Sequence, residues 1–152
     1  MKPPFWDSIE PYLEADKMRQ KIFSRLVVSV MPEGNMFRVY KPFIYYWKDR
    51  IEGEIIKITV PVDFLTDFAS IPPIVRLIIP KLGRYNAPAV IHDFLYRYHQ
   101  IGKGQIVYAV NRKMADLIFL DAMRDRGVAV WKRQAMYYAV RIAGTFAWRK
   151  RV

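Results

Sequence analysis

The spacing of hydrophobic positions divides the chain into a region of strands and a region of helices. From residue 25 to residue 62, short β-branched and aromatic runs alternate with turn residues, which predicts an antiparallel β-meander. From residue 85 to residue 152, apolar residues recur at helical spacing. The predicted strands are Arg25–Met31, Met36–Tyr40, Phe43–Trp47 and Glu54–Val60, and the predicted helices are Asn86–His99, Arg112–Arg126 and Val130–Trp148. We therefore expect an α+β domain in which a small meander packs on a C-terminal bundle of about three helices.

Two segments fall outside this pattern. Residues 1–24 contain three prolines and are predicted to form an N-terminal arm or short helix ahead of a single α+β domain at 25–152. The rings of this arm must pack on its own domain or on a neighbour. Residues 61–84 are predicted to form a loop between the meander and the helices.

That loop combines oxygen-bearing side chains with apolar ones. Its polar residues include Asp63, Thr66, Asp67 and Ser70. Side chains of this kind hydrogen-bond nearby backbone groups and stabilise compact loops. Carboxylates and hydroxyls are also the oxygen ligands that hard cations such as Ca²⁺ prefer. Loop capping and a cation site that includes Asp63 and Asp67 both remain open as interpretations.

The first predicted helix carries a polar pair in an unusual place. His92 and Asp93 lie in the middle of an otherwise apolar helix, where unpaired polar groups are costly to bury. Tyr96 follows one turn later on the face of His92, whereas Asp93 points about 100° round the helix axis. Asp116 lies on the second helix beside its apolar stripe, where it can face His92 if the two helices pack antiparallel.

These side chains fit two roles. In a hydrolase, Asp116 would orient the ring of His92, and the free nitrogen of that ring would take a proton from an attacking water. A cation held by Asp93 would then stabilise the oxyanion. In a structural role, the same groups would form a buried hydrogen-bonded cluster that pins the two helices together.

The order of these residues resembles the phospholipase A2 family. That family has a helix with His-Asp-x-x-Tyr, followed by a second helix whose aspartate contacts the histidine. The matching residues here are His92, Asp93 and Tyr96, then Asp116. The resemblance implies that His92 is a general base, Asp116 its orienting partner, Asp93 a Ca²⁺ ligand and Tyr96 a structural partner. The family's glycine-rich calcium loop and disulfides have no counterpart, since residues 63–70 contain no glycine and the chain contains no cysteine.

Three blocks of the chain together resemble an uncharacterised family encoded by bacteriophages and prophages. The blocks are Asp-Phe-Leu-Thr-Asp-Phe-Ala-Ser-Ile-Pro at 63–72, His-Asp-Phe-Leu-Tyr at 92–96 and Arg-Lys-Met-Ala-Asp-Leu-Ile-Phe at 112–119. They occur in the family's order, within a resemblance that spans about residues 61–145. In the family the middle block begins four residues earlier, as Ala-x-x-x-His-Asp-x-x-Tyr, and Pro88 stands in that alanine position here. The resemblance implies a phage protein, located in the virion or, before assembly, in the host cytoplasm, and it implies no particular activity.

Composition and charge narrow the classes of function. The chain contains no cysteine, which excludes disulfides, thiolate metal sites and cysteine nucleophiles. With only two histidines, one chain cannot build a multi-histidine zinc site unless carboxylates supply the remaining ligands. The charge pattern along the chain predicts no transmembrane helix and no signal peptide. The formal net charge is +11, which favours an acidic partner. No acidic residue follows Lys132, and two interpretations of this basic C-terminus remain open: a solvated helix end, or a contact with a polyanion such as DNA or anionic lipid.

Two functions therefore remain as predictions. The first is a virion protein of the tail, neck or baseplate that contacts other virion proteins and has a structural His-Asp cluster. The second is a phospholipase A2-like ester hydrolase, with Ca²⁺ as its cofactor, that acts on the host envelope during infection. The aromatic N-terminal arm favours the first function. The three polar residues His92, Asp93 and Asp116 on two facing helices favour the second. A virion that carries an enzyme to the cell would combine them.

Overall fold

The computed structural model describes residues 22–50, 52–67, 84–103 and 106–149. In these residues five strands precede the first of three helices, and two more strands lie between the first and second helices. The strands are β1 (Val28–Val30), β2 (Phe37–Val39), β3 (Phe43–Lys48), β4 (Ile55–Val60), β5 (Leu65–Thr66), β6 (Gln100–Lys103) and β7 (Ile106–Ala109). The helices are α1 (Asn86–Tyr98), α2 (Arg112–Asp125) and α3 (Val130–Arg149). The predicted α+β class is confirmed. The predicted N-terminal arm lies almost wholly outside the described residues.

The strands pair antiparallel, but they form small separate sheets rather than one continuous meander. Among the described residues, β2 lies between β1 and β5, β3 pairs with β4, and β6 pairs with β7. The connection from β2 to β3 contains Pro42, which has no backbone N–H to donate to a ladder, and here the chain passes from one sheet to the next. The predicted loop at 61–84 contributes β5, which completes the sheet of β1 and β2.

The β3–β4 hairpin forms the sheet side of the hydrophobic core. Side chains alternate between the two faces of a strand, so every second residue of each strand points inward. The register aligns these inward residues as the pairs Phe43–Val60, Tyr45–Ile58 and Trp47–Ile56, and all six are buried. α1 packs against β4 and α2 against β3, which closes the core over this face.

The three helices begin at the predicted residues, and each ends within one residue of its predicted end. Asn111 caps α2, since its side chain accepts a hydrogen bond of 2.8 Å from the backbone N–H of Met114. Gly127 follows α2 with φ +78°, a left-handed conformation that glycine adopts without strain. Asn86 belongs to a residue type that often caps helices, but here Tyr85 occupies the cap position of α1 and Asn86 is the first helical residue. In the described parts of the chain, no helix is both long and apolar enough to cross a bilayer.

Candidate functional site

Two of the predicted polar residues of α1, His92 and Tyr96, meet the buried carboxylate of Asp116 on α2. Its side chain is fully buried, and its Oδ1 accepts hydrogen bonds from His92 Nε2 at 2.8 Å and from the Tyr96 hydroxyl at 2.5 Å. Its Oδ2 accepts a hydrogen bond of 2.7 Å from Arg141 Nη1, and Arg112 Nη1 lies 3.8 Å away. Because Arg141 belongs to α3, the three helices all contribute to this group. We call Asp116 and these four neighbours the Asp116 cluster.

The surroundings of Asp116 keep it ionised. Burial alone would raise the pKa of Asp116, but the hydrogen bonds from His92, Tyr96 and Arg141 outweigh burial, and the pKa is lowered. Burial and the hydrogen bond to Asp116 raise the pKa of Tyr96 well above its ordinary value, so its hydroxyl stays protonated and donates. The hydrogen bond to Asp116 also raises the pKa of Arg141. The cluster therefore holds a fixed negative charge beside a fixed positive one.

Aromatic neighbours and Asp116 together fix the ring of His92. The residue is 4% exposed, and its ring centroid lies 4.1 Å from that of Tyr96 and 4.6 Å from that of Phe119. Because an ionised carboxylate can only accept, His92 donates from Nε2, and in a neutral ring Nδ1 is then the acceptor. The geometry predicted for a His-Asp pair is therefore present, with an imidazole nitrogen that can accept a proton.

The loop that precedes α1 contacts the same helix through Thr66. The Thr66 hydroxyl donates a hydrogen bond of 2.5 Å to Asp93 Oδ2, and Thr66 itself is 1% exposed on β5. The free-energy cost of burying a hydroxyl is offset when the hydroxyl forms a hydrogen bond. Here its partner is a carboxylate on another element. This contact joins the β1–β2–β5 sheet to α1, next to His92.

The other predicted cation ligands lie in different surroundings. Asp63 adopts a left-handed backbone conformation with φ 67°, its side chain is 72% exposed, and its Oδ1 lies 3.7 Å from Arg38 Nε. Ser70 lies outside the described residues. Within the described ranges, no three His, Asp or Glu side chains form a group that could hold a metal ion. A Ca²⁺ site formed by Asp63, Asp67 and Asp93 therefore stays a prediction from the sequence alone.

A second buried carboxylate, Asp121, was not among the predicted site residues. It is 1% exposed and accepts hydrogen bonds from Trp47 Nε1 at 3.0 Å and from Arg50 Nε at 2.8 Å. Arg124 Nη1 lies 3.2 Å from it, and one turn further on Asp125 accepts a hydrogen bond of 2.8 Å from the Tyr45 hydroxyl. This group ties β3 to α2 beside a surface cleft of about 490 Å³.

The sequence holds a signal for Asp121 that resembles the one for Asp116. Both are aspartates within the apolar stripe of α2, where an isolated charge needs a partner. The sequence gives no such signal for Arg141, because a basic residue near a basic C-terminus is usually solvated. Only the packing of α3 in the structure shows that the Arg141 side chain points toward Asp116.

Fold and site together define a class: a small α+β domain whose three helices share one buried carboxylate. A family model described as "Protein of unknown function (DUF1353)" matches residues 37–140. Since the match covers more than half of the chain, the chain belongs to the DUF1353 family. The matched region contains four of the five residues of the Asp116 cluster and ends one residue before Arg141. No curated protein and no solved structure matches the chain.

Proposed function

We propose that this protein is a structural component of a bacteriophage particle, in the tail, neck or baseplate, and that the Asp116 cluster holds its helices together. The observation that carries the structural role is the shared use of one fully buried carboxylate by side chains of α1, α2 and α3. The resemblance of three sequence blocks to proteins encoded by phages supports the location in a particle.

The charges of the cluster favour a structural role over proton transfer. In a catalytic His-Asp pair, the carboxylate stabilises the imidazolium that forms when the histidine takes up a proton. Here Arg141 already pairs with Asp116, and Arg112 lies nearby. The negative charge of Asp116 is therefore already balanced by a guanidinium. Arg141 ties α3 to this carboxylate, just as His92 and Tyr96 tie α1 to it.

Purified particles of the phage that encodes this chain provide the direct test. After banding in a density gradient, quantitative mass spectrometry should find the chain in the particle band at a constant ratio to the major capsid protein. A chain that is abundant in the lysate but does not band with particles would overturn the proposal. A host cytoplasmic protein of similar charge, followed in the same gradient, controls for adsorption to particles.

The second candidate is an ester hydrolase that acts on the host envelope. The observation that favours it is the 2.8 Å bond from His92 Nε2 to Asp116, which leaves Nδ1 as a base. Its test is hydrolysis of a panel of phospholipids and simple esters, with Ca²⁺ and with chelator. Without turnover of any substrate in the panel, this candidate fails.

The variant His92→Gln separates the two candidates. A glutamine amide can donate to Asp116 in place of Nε2–H, but it is not a base. If the role is structural, His92→Gln should fold and enter particles, whereas His92→Ala should lower stability because it removes the donor and opens a cavity. If the role is catalytic, both variants should lose hydrolysis equally.

A further inference from the structure

We infer that the outer face of α3 binds the surface of an anionic membrane. That face is a row of exposed residues, Trp131, Ala135, Tyr138 and Ile142, which we call the α3 stripe. The exposed fractions of its three large residues are 57%, 60% and 82%. Residues of this size and exposure present on the order of 400 Å² of surface, and apolar patches of that extent often mark an interaction site. The inference does not depend on the proposed function.

The α3 stripe runs straight along the helix, on the side away from the core. Its members are separated by four, three and four residues, so they lie on one face over about 16 Å. The opposite face packs inside the domain, because Met136 and Val140 are buried and Arg141 reaches Asp116. The stripe is therefore already presented outward, and a flat surface can contact it without any rearrangement of the helix.

The charge around the stripe indicates the chemistry of its partner. α3 contains four basic residues and no acidic one, and from Arg126 to the end of the chain there are seven basic residues and no acidic one. Lys132 Nζ lies 5.5 Å from the centroid of the Trp131 ring, so a positive charge lies beside the stripe. A second copy of α3 would place like charges side by side, whereas an anionic surface is complementary.

The side chains of the stripe favour lipid over nucleic acid as that anionic surface. Trp and Tyr combine an apolar ring with a polar N–H or O–H, and they are enriched where lipid headgroups meet hydrocarbon. The Ile142 side chain has no polar atom, so it gains free energy only by leaving water for an apolar phase. Lys132 can place its carbon stem along that phase while its ammonium stays among the headgroup phosphates. A DNA duplex offers phosphates but no comparable apolar layer.

This arrangement defines how the protein would lie on the membrane. Helices that bind in the interfacial region lie parallel to the bilayer and insert apolar side chains to a depth of about 5–10 Å. Because the other face of α3 is packed in the core, only the side chains of the stripe would enter the lipid. Affinity should then depend both on apolar contact and on the anionic charge of the headgroups.

Flotation of the full-length protein with lipid vesicles tests the inference. Vesicles of equal parts phosphatidylcholine and phosphatidylglycerol should bind the protein at least about tenfold more tightly than vesicles of phosphatidylcholine alone. The variant Tyr138→Ser/Ile142→Ser should lower the affinity for the mixed vesicles at least about tenfold. Its melting temperature should not fall, since both residues are exposed. The matched control is Val107→Ser/Tyr108→Ser, which removes two exposed apolar side chains from β7 and should keep the affinity.

Trp131 provides a second readout at the same place. Its fluorescence should shift to shorter wavelength when mixed vesicles are added, because its exposed ring leaves water. The variant Trp131→Phe should keep an apolar ring and most of the binding, but it should lose most of the shift. A shift of unchanged size in Trp131→Phe would place the contact away from the stripe and would overturn the inference.

Duplex DNA distinguishes a lipid surface from a nucleic-acid surface. The variant Tyr138→Ser/Ile142→Ser keeps every basic residue, so its affinity for duplex DNA should equal that of the wild type. If the variant instead loses affinity for DNA and keeps its affinity for mixed vesicles, the stripe is a nucleic-acid surface and the inference is wrong.

Three further results would overturn the inference. The first is a wild type that does not bind the mixed vesicles. The second is vesicle binding that survives the loss of Tyr138 and Ile142. The third is a wild type that dimerises without vesicles while the Tyr138→Ser/Ile142→Ser variant stays monomeric, which would assign the stripe to a second copy of the chain.

Discussion

A buried carboxylate is favourable only when its oxygens are paired, and Asp116 shows how this is achieved at the scale of single residues. Its Oδ1 is held by His92 and Tyr96 and its Oδ2 by Arg141, so both oxygens have charged or polar donors. The helical spacing of His92 and Tyr96 and the place of Asp116 in an apolar stripe made these three residues predictable. The inward turn of Arg141 was not predictable, because it depends on how α3 lies against α2.

Replacement of Asp116 should therefore be costly. Asp116→Asn removes the negative charge and leaves Arg141 beside a neutral amide, and we expect a loss of about 3–5 kcal/mol in the free energy of unfolding. Urea denaturation measures this. The control is Asp63→Asn, whose exposed partner Arg38 lies 3.7 Å away and whose loss should cost about 1 kcal/mol or less. Similar losses for the two variants would contradict the central role of Asp116.

Acid should weaken the same cluster. Because the pKa of Asp116 is lower in the folded state than in the unfolded state, its carboxylate stabilises the fold above the unfolded pKa of about 4. This contribution is lost as the pH falls below that value, through the folded pKa. The difference in unfolding free energy between wild type and Asp116→Asn should therefore shrink from about pH 6 toward about pH 2. A difference that is constant over this range would show that Asp116 does not titrate with folding.

At the scale of elements, the close approach of α3 to α1 depends on a glycine. Gly144 is buried, and a methyl group at its Cα would lie 2.5 Å from the Tyr96 hydroxyl oxygen. His99 directly follows α1, and its ring stacks on that of Trp148 in α3, with the ring centroids 3.7 Å apart. The contact between α3 and α1 therefore continues to the C-terminal end of α1. The spacing of apolar residues predicted the three helices, but it did not predict how the strands pair. The alternation of apolar and polar residues shows which face of a strand is buried, but it does not show which strand pairs with it. This is why the placement of β2 and β3 in separate sheets was not predicted.

The variant Gly144→Ala should reverse the usual effect of alanine in a helix. Glycine to alanine in a helix ordinarily stabilises by about 0.5–1 kcal/mol. Here the added methyl group must displace Tyr96 or shift α3, and we expect a loss of about 1–3 kcal/mol, measured by urea denaturation. In the Tyr96→Phe background the loss should be smaller, because the closest atom is gone. An increase in stability on Gly144→Ala would indicate that the two helices are farther apart.

At the scale of the whole molecule, the net charge of +11 should produce binding to polyanions that is independent of sequence. Two labelled DNA duplexes of unrelated sequence should bind with equal affinity, and the affinity should fall steeply as salt rises, as measured by fluorescence anisotropy. Glutamine at positions 149, 150 and 151 should weaken binding and flatten the salt dependence, which would assign binding to the basic C-terminus. Glutamine at Lys41, Lys48 and Lys57, which are exposed on the sheet side, is the control.

The two buried carboxylate groups close chain loops of very different length, and this has a consequence for the order of folding. The hydrogen-bonded partners of Asp116 lie 20 to 25 residues away along the chain, whereas Tyr45, Trp47 and Arg50 lie 71 to 80 residues from Asp121 and Asp125. Closing a long loop costs more conformational entropy than closing a short one, so contacts that close long loops tend to form late in folding. We expect the helices to assemble first and the β3–β4 hairpin to dock last.

Two matched substitutions can reveal that order. Tyr96→Phe and Tyr45→Phe each remove one hydroxyl that donates to a buried aspartate. In stopped-flow measurements, Tyr96→Phe should mainly slow folding, and Tyr45→Phe should mainly accelerate unfolding. The reverse pattern would mean that the hairpin nucleates folding. If the expected pattern holds, the first partial opening of the native protein releases the sheet from an intact trio of helices, with Asp116 still buried among them.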